Sequence, residues 1–240
     1  MASPAQSLPP ASRSGPQRVM SPNLPEETPG SLPGQPAAES SRWPGVIIAL
    51  AGSLGVLLGL LVIVGWHTGH ILSPFVFRFE SVPVRYNTGL CFLFSGTALL
   101  LLARRRIGLA QLAAAPLALL GLLTCCEYVF SFDLGIDELL FRSGPVSPRM
   151  APNTALCFTL LGSALLLAAE KRRSLRNTAQ AFVAALVTAV GLAGFIGYLA
   201  DIPTAYEWGR FTPMAAPTAG LMVVLGFGVI AFAWRQYTAV

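Results

Sequence analysis

Six uncharged apolar stretches constrain this chain more than any other feature. Residues 46–66 carry no charge over 21 positions. An α-helix rising 1.5 Å per residue needs about 20 such positions to cross the hydrocarbon core of a bilayer. Five more stretches follow, at roughly 87–103, 107–126, 153–169, 178–200 and 215–234. The second and fourth are the shortest, about 17 residues each, at the low end of the spanning range. The alternative spanning structure, a closed β-barrel, needs strands of alternating polarity. Segments such as Ala98-Leu99-Leu100-Leu101-Leu102-Ala103 do not alternate. The expectation is an all-α membrane protein with six transmembrane helices over residues 43–240.

Composition agrees. Charged residues make up 11% of the chain, against about 25% in soluble domains, and mean hydropathy is +0.63. The net charge of +5 arises from basic residues clustered between apolar stretches, which encodes topology and does not describe a nucleic-acid face. Arg104, Arg105 and Arg106 fill one short link, and Lys171, Arg172, Arg173 and Arg176 the next short link on the same side. The connections near 67–86, 127–152 and 201–214 hold five Arg and seven acids. The positive-inside rule then places the two basic links and both termini in the cytoplasm, in a plasma (inner) membrane. The lipid bilayer is the first partner implied.

Residues 1–42 differ in kind. They are rich in Pro and Ser and lack aromatic residues. Such a segment buries too little apolar surface to offset its ordering entropy, so the expectation is a disordered cytoplasmic tail. It has no charged n-region followed by a short apolar core, so it does not read as a secretory signal.

The chain is also self-similar. Asn87-Thr88-Gly89-Leu90-Cys91-Phe92 aligns with Asn153-Thr154-Ala155-Leu156-Cys157-Phe158 at an offset of 66, which also carries Gly96 onto Gly162. A weaker copy at an offset of 64 carries Met150 onto Met214, Thr154 onto Thr218 and Gly162 onto Gly226. The segment 121–128 resembles 191–198. Three repeats of about 46–106, 107–174 and 177–236 follow, each a hairpin of two helices. An even number of spans per unit inserts every unit in the same sense, related by an axis along the membrane normal. The Asn-Thr pairs are expected to start helices, because their side-chain oxygens accept backbone N–H groups left over in a first turn. The glycines are expected to let helices approach closely.

The segments GLLTCCEYVFSFDLGIDELLF, SPRMAPNTALCFTLLGSALLLAAEKRR and GYLADIPTAYEWGRFTPMAAPTAG resemble the N-terminal membrane-sensing region that precedes PAS, histidine-kinase and GGDEF output domains in bacterial signalling proteins. The resemblance covers roughly residues 46–235, and Met150-Ala151-Pro152-Asn153-Thr154-Ala155-Leu156 is its most specific part. It implies a membrane sensor whose ligand is not defined. Only a few residues follow the last apolar stretch, so signalling is expected to run through a separate protein or a second copy of this chain. A small transporter or channel is the second reading, and an envelope-associated membrane enzyme the third.

Few residues invite chemistry. His67 and His70 lie three apart just beyond the first stretch, and a shared helical face would make them weak metal candidates. Interfacial polar residues are the plainer reading, and neither a metal nor a cofactor is expected. Cys91, Cys125, Cys126 and Cys157 match no zinc spacing and read as small apolar side chains. Glu127 is a carboxylate at the end of an apolar stretch, where such a group finds a cation or a water-filled cavity. Arg149 and Arg85 are its expected partners. Asp133, Asp137 and Glu138 read as a solvated acidic loop. The candidate ligand-binding set is Glu127, Asn153, Arg149, Asn87 and Asp133, expected as a shallow polar outer pocket. No catalytic residues are identified, because no nucleophile, base and orienting group fall together.

Overall fold

A computed structural model describes residues 43–68, 82–138, 149–168 and 174–238. The expectations for the tail, for His70 and for most of the first connection lie outside these residues. Contacts divide the chain between Gln35 and Pro36, and every described residue belongs to the second unit.

The described residues form six α-helices and no strand. They are α1 (Trp43–His67), α2 (Tyr86–Ala103), α3 (Ile107–Phe130), α4 (Pro152–Leu166), α5 (Ser174–Leu199) and α6 (Ala216–Thr238). A short 3-10 turn, Pro203–Ala205, precedes α6. All but α4 are long and apolar enough to cross a membrane, and the chain is a membrane protein. The fourth helix is shorter than its apolar stretch. It has 15 residues, about 22 Å at 1.5 Å per residue, against a hydrocarbon core of about 30 Å.

Small residues bring sequential helices together in pairs. A Cβ on Gly59 of α1 would lie 2.7 Å from the Leu93 nitrogen and 2.8 Å from the Gly89 oxygen. On Gly121 of α3 it would meet Thr159 N at 2.6 Å and Ala155 O at 2.8 Å, and on Gly191 of α5 Ala219 O at 2.8 Å and Val223 N at 3.0 Å. The reverse approach comes from Gly96, Gly162 and Gly226, which press on the backbones of Gly52 and Val56, of Ala118, and of Ala184 beside Thr188. Numbers rise along one helix as they fall along its partner. No side chain fits between the backbones at these points, so dispersion contacts replace the hydrophobic drive that lipid does not provide.

The helices α2, α4 and α6 each touch the other two, whereas α3 and α5 pack mainly against the helix before and the helix after them, and α1 against α2 and α6. Burial follows this order. The spanning windows of α2 and α6 are 56% and 67% buried, and those of α1, α3 and α5 are 33%, 28% and 28% buried. Phe92 of α2 meets Phe158 of α4 edge to face at 5.2 Å. With Leu99, Leu161, Leu165, Met222 and Leu225 they fill the centre.

Each pair is also tied at one end. The Trp66 indole N–H donates to the Val84 carbonyl at 2.9 Å. The Tyr128 and Tyr198 hydroxyls donate to the carbonyls of Met150 at 2.7 Å and Met214 at 2.6 Å. Each acceptor stands two residues before the first residue of α2, α4 or α6, and all three are buried. At the opposite end, Gln111 donates to the Leu166 and Ala168 carbonyls and Gln180 to that of Ala164. Arg235 of α6 donates to the Leu102 and Ala103 carbonyls that end α2. These bonds satisfy carbonyls that a helix end leaves without partners.

The asparagines do not stand at the capping position, though Asn153 Oδ1 accepts the Thr154 backbone N–H of the first turn at 2.9 Å. The residues preceding α2 and α4 are Arg85 and Ala151, and neither makes a side-chain capping bond. Asn87 and Asn153 lie inside the first turn and send their amide groups outward. Asn87 donates to Ile136 O at 3.2 Å and Asn153 to Tyr206 O at 3.0 Å. Each therefore pins the start of an inner helix to the loop of the next pair.

Candidate functional site

The helix α3 ends at Phe130, and Ser131 takes a left-handed backbone (φ 54°). That turn folds the following loop back over the last turn of the helix, where Glu127 is wholly buried. The Leu134 backbone N–H donates to Glu127 Oε1 at 2.8 Å. Arg149, just ahead of α4, reaches the other oxygen, with Nε 3.3 Å from Oε2. The same guanidinium lies 3.2 Å from Asp137 Oδ2 and 3.4 Å from Asp133 Oδ1. One cation therefore serves three carboxylates from the end of α3 and the loop beyond it. Its guanidinium carbon also stands 5.5 Å from the centre of the Tyr128 ring.

Asp137 extends the cluster to the first pair, because Asn87 Nδ2 donates to its Oδ1 at 3.2 Å. The sequence had placed Asp137 in a solvated loop. It is 4% exposed, whereas the Asp133 side chain is 77% exposed. Its burial depends on Arg149 and Asn87, which lie 12 residues after it and 50 before it, and no local pattern reveals that.

The electrostatics are asymmetric. Burial disfavours the Arg149 charge, but the hydrogen bond to Asp137 and the fields of Glu127, Asp137 and Asp133 outweigh it. Its pKa is held above the ordinary arginine value. Burial pulls the Arg85 guanidinium below that value, opposed by Tyr128 and Asp137. Arg85 keeps Nε and Nη1 buried without a hydrogen bond, and it is not the partner of Glu127.

A cleft of about 400 Å³ opens beside the cluster, lined by Glu127, Tyr128, Ser131, Phe132, Asp133, Arg149 and Phe211. Three of the five candidate residues, Glu127, Arg149 and Asp133, line it together. Asn87 reaches it only through Asp137, and Asn153 is engaged elsewhere, on Tyr206. The aromatic wall was not legible in the sequence. Phe211 comes from the connection before α6 and meets Tyr128 edge to face at 4.9 Å. His67 stands beside Tyr86, with Nε2 3.3 Å from its hydroxyl. Cys91 and Cys157 are buried, and Cys125 and Cys126 are half-buried.

No family model matches the chain, and no curated protein or solved structure matches it.

Proposed function

We propose that the chain is a membrane sensory module. In this reading its three helical hairpins are copies of one unit, inserted in the same sense. The Arg149 cluster faces outward, and the basic links and both termini face the cytoplasm. Three matched contacts support the repeat: Trp66 on Val84, Tyr128 on Met150 and Tyr198 on Met214. The seven basic residues of the two short links support the orientation.

The observation that carries the sensory reading is the sharing of Arg149 among Glu127, Asp133 and Asp137, with Asn87 attached through Asp137. That single group joins the end of α3, the loop after it, the approach to α4 and the start of α2. A stimulus that takes Arg149 from its carboxylates frees the approach to α4 from the end of α3 and from the loop after it. Packed helices with discrete arrangements turn such a local change into a shift of one pair against another. The buried residues in the middle of α2 and α4 are Phe, Leu, Ala, Gly, Cys and Ser95, whose hydroxyl is bonded to Phe92 O. That lining suits a helix shift better than passage of a polar solute. The shift would be read at the cytoplasmic ends by a separate signalling protein or a second copy of the chain.

The test uses the full chain in lipid nanodiscs, with Cys125 and Cys126 replaced by Ala. Nitroxide labels at Leu175 and Trp234, both exposed, report the separation of α5 and α6 at the end remote from Arg149. Arg149→Gln should change the distance distribution, and Arg149→Lys should restore most of it. Indistinguishable distributions in all three proteins would remove the coupling.

A further inference from the structure

We propose that the cleft beside Arg149 takes a small organic cation, an alkyl- or aralkylammonium ion, with Glu127 and Asp133 holding its charge and Tyr128, Phe132 and Phe211 covering its apolar body. The inference rests on the sensory reading only for the idea that the site is used; the binding itself stands on the cleft.

Charge comes first. The cleft wall carries two carboxylates and one guanidinium, and a third carboxylate, Asp137, draws on the same guanidinium. An anion entering there meets more negative than positive charge. A cation reduces that imbalance.

The second observation concerns Glu127 Oε2. It is inaccessible, has no hydrogen bond, and relies on one ion pair to Arg149 at 3.3 Å. Its sister oxygen is already bonded to Leu134 N–H. A carboxylate oxygen has room for two hydrogen bonds, and Glu127 is one of the residues that line the cleft. An ammonium group that displaces Arg149 from this oxygen can supply the missing donor.

The third observation is the nature of the other walls. Tyr128 and Phe211 form an edge-to-face pair, and Phe132 stands beside Phe130 with parallel rings 6.0 Å apart. Aromatic faces attract cations and cover apolar surface together. Arg149 already uses the Tyr128 ring in this way, so it occupies the site as a tethered cation. A free ammonium ion competes with it for the same oxygens, which is the release that the sensory reading requires. The described residues contain no group of three His, Cys, Asp or Glu side chains placed to hold a metal ion, which favours an organic over an inorganic cation.

The test is calorimetric titration of the full chain in phosphatidylcholine nanodiscs, with empty nanodiscs subtracted for partitioning. Phenethylammonium is the probe, with phenylacetate and 2-phenylethanol as controls of similar shape. Saturable binding of the ammonium ion alone is expected, weakened at least tenfold by Glu127→Gln. Asp133→Asn alters an exposed side chain and should fold normally, so a weakening there confirms the charge contact without a folding ambiguity. Preference for phenylacetate, equal binding of all three probes, displacement of the probe by calcium, or unchanged affinity in both variants would overturn the proposal. So would the absence of saturable ammonium binding. Failure here leaves the Arg149→Gln distance measurement standing, and a null distance measurement leaves this binding result standing.

Discussion

The Trp66 indole nitrogen lies 2.9 Å from the Val84 carbonyl oxygen, in the place where Tyr128 meets Met150 and Tyr198 meets Met214. An indole N–H and a phenol O–H are thus interchangeable here, each tying the end of an outer helix to the lead-in of the inner helix beside it. Removing one such hydrogen bond costs about 0.5–1.5 kcal/mol. Trp66→Phe, Tyr128→Phe and Tyr198→Phe should each lower the unfolding free energy in mixed micelles by about that amount. Tyr128→Phe keeps the ring against Phe211 but also removes a side-chain hydrogen bond to Thr212, so its loss should be the largest of the three.

The Arg149 cluster makes a sharper prediction. Arg149→Gln leaves Glu127 buried without its cation, and breaking a buried pair from one side costs about 3–5 kcal/mol. Adding Glu127→Gln should recover a large part of that loss, because the uncompensated charge disappears. Denaturant unfolding of both single variants and the double variant gives the coupling. Purely additive effects would contradict the ion pair.

Asn87→Ala and Asn153→Ala test the pins between pairs. Each removes an amide donor to a loop carbonyl, at about 1 kcal/mol. Hydrogen exchange should rise locally, around 131–138 for Asn87→Ala and around 203–214 for Asn153→Ala. A uniform rise over both loops in either variant would show that these asparagines act on the bundle as a whole.

The glycine contacts are the least forgiving. Gly96→Ala places a methyl group 2.5 Å from the Gly52 oxygen and the Val56 nitrogen, where only backbone movement relieves the clash. Overpacking of this kind costs about 1–3 kcal/mol. Gly45→Ala meets nothing within 4 Å and should leave the midpoint unchanged, so the two substitutions together separate packing from composition.

Topology is testable without a purified protein. Reporter fusions after residues 45, 106, 174 and 240 should report cytoplasm, and fusions near 75, 140 and 207 the outside. Termini on opposite sides would mean that α4, the shortest helix, does not span.

The sequence alone determined that the described chain is helical and built for lipid, because lipid demands long uncharged segments whose backbone bonds are satisfied internally. It also marked the glycines, since a close backbone approach tolerates few residue types. It pointed to Glu127, since a carboxylate at the end of an apolar stretch must find a partner. The tertiary structure decided which partner. Arg149 rather than Arg85 meets Glu127, because the packing of α3 against α4 places the residue just ahead of α4 beside the end of α3. It also decided that the amide groups of Asn87 and Asn153 pin loops, that Asp137 is buried, and that Trp66 stands where its counterparts are tyrosines. None of these is a property of local sequence. Each depends on which residues, tens of positions apart, the pairing of the helices brings within hydrogen-bond reach.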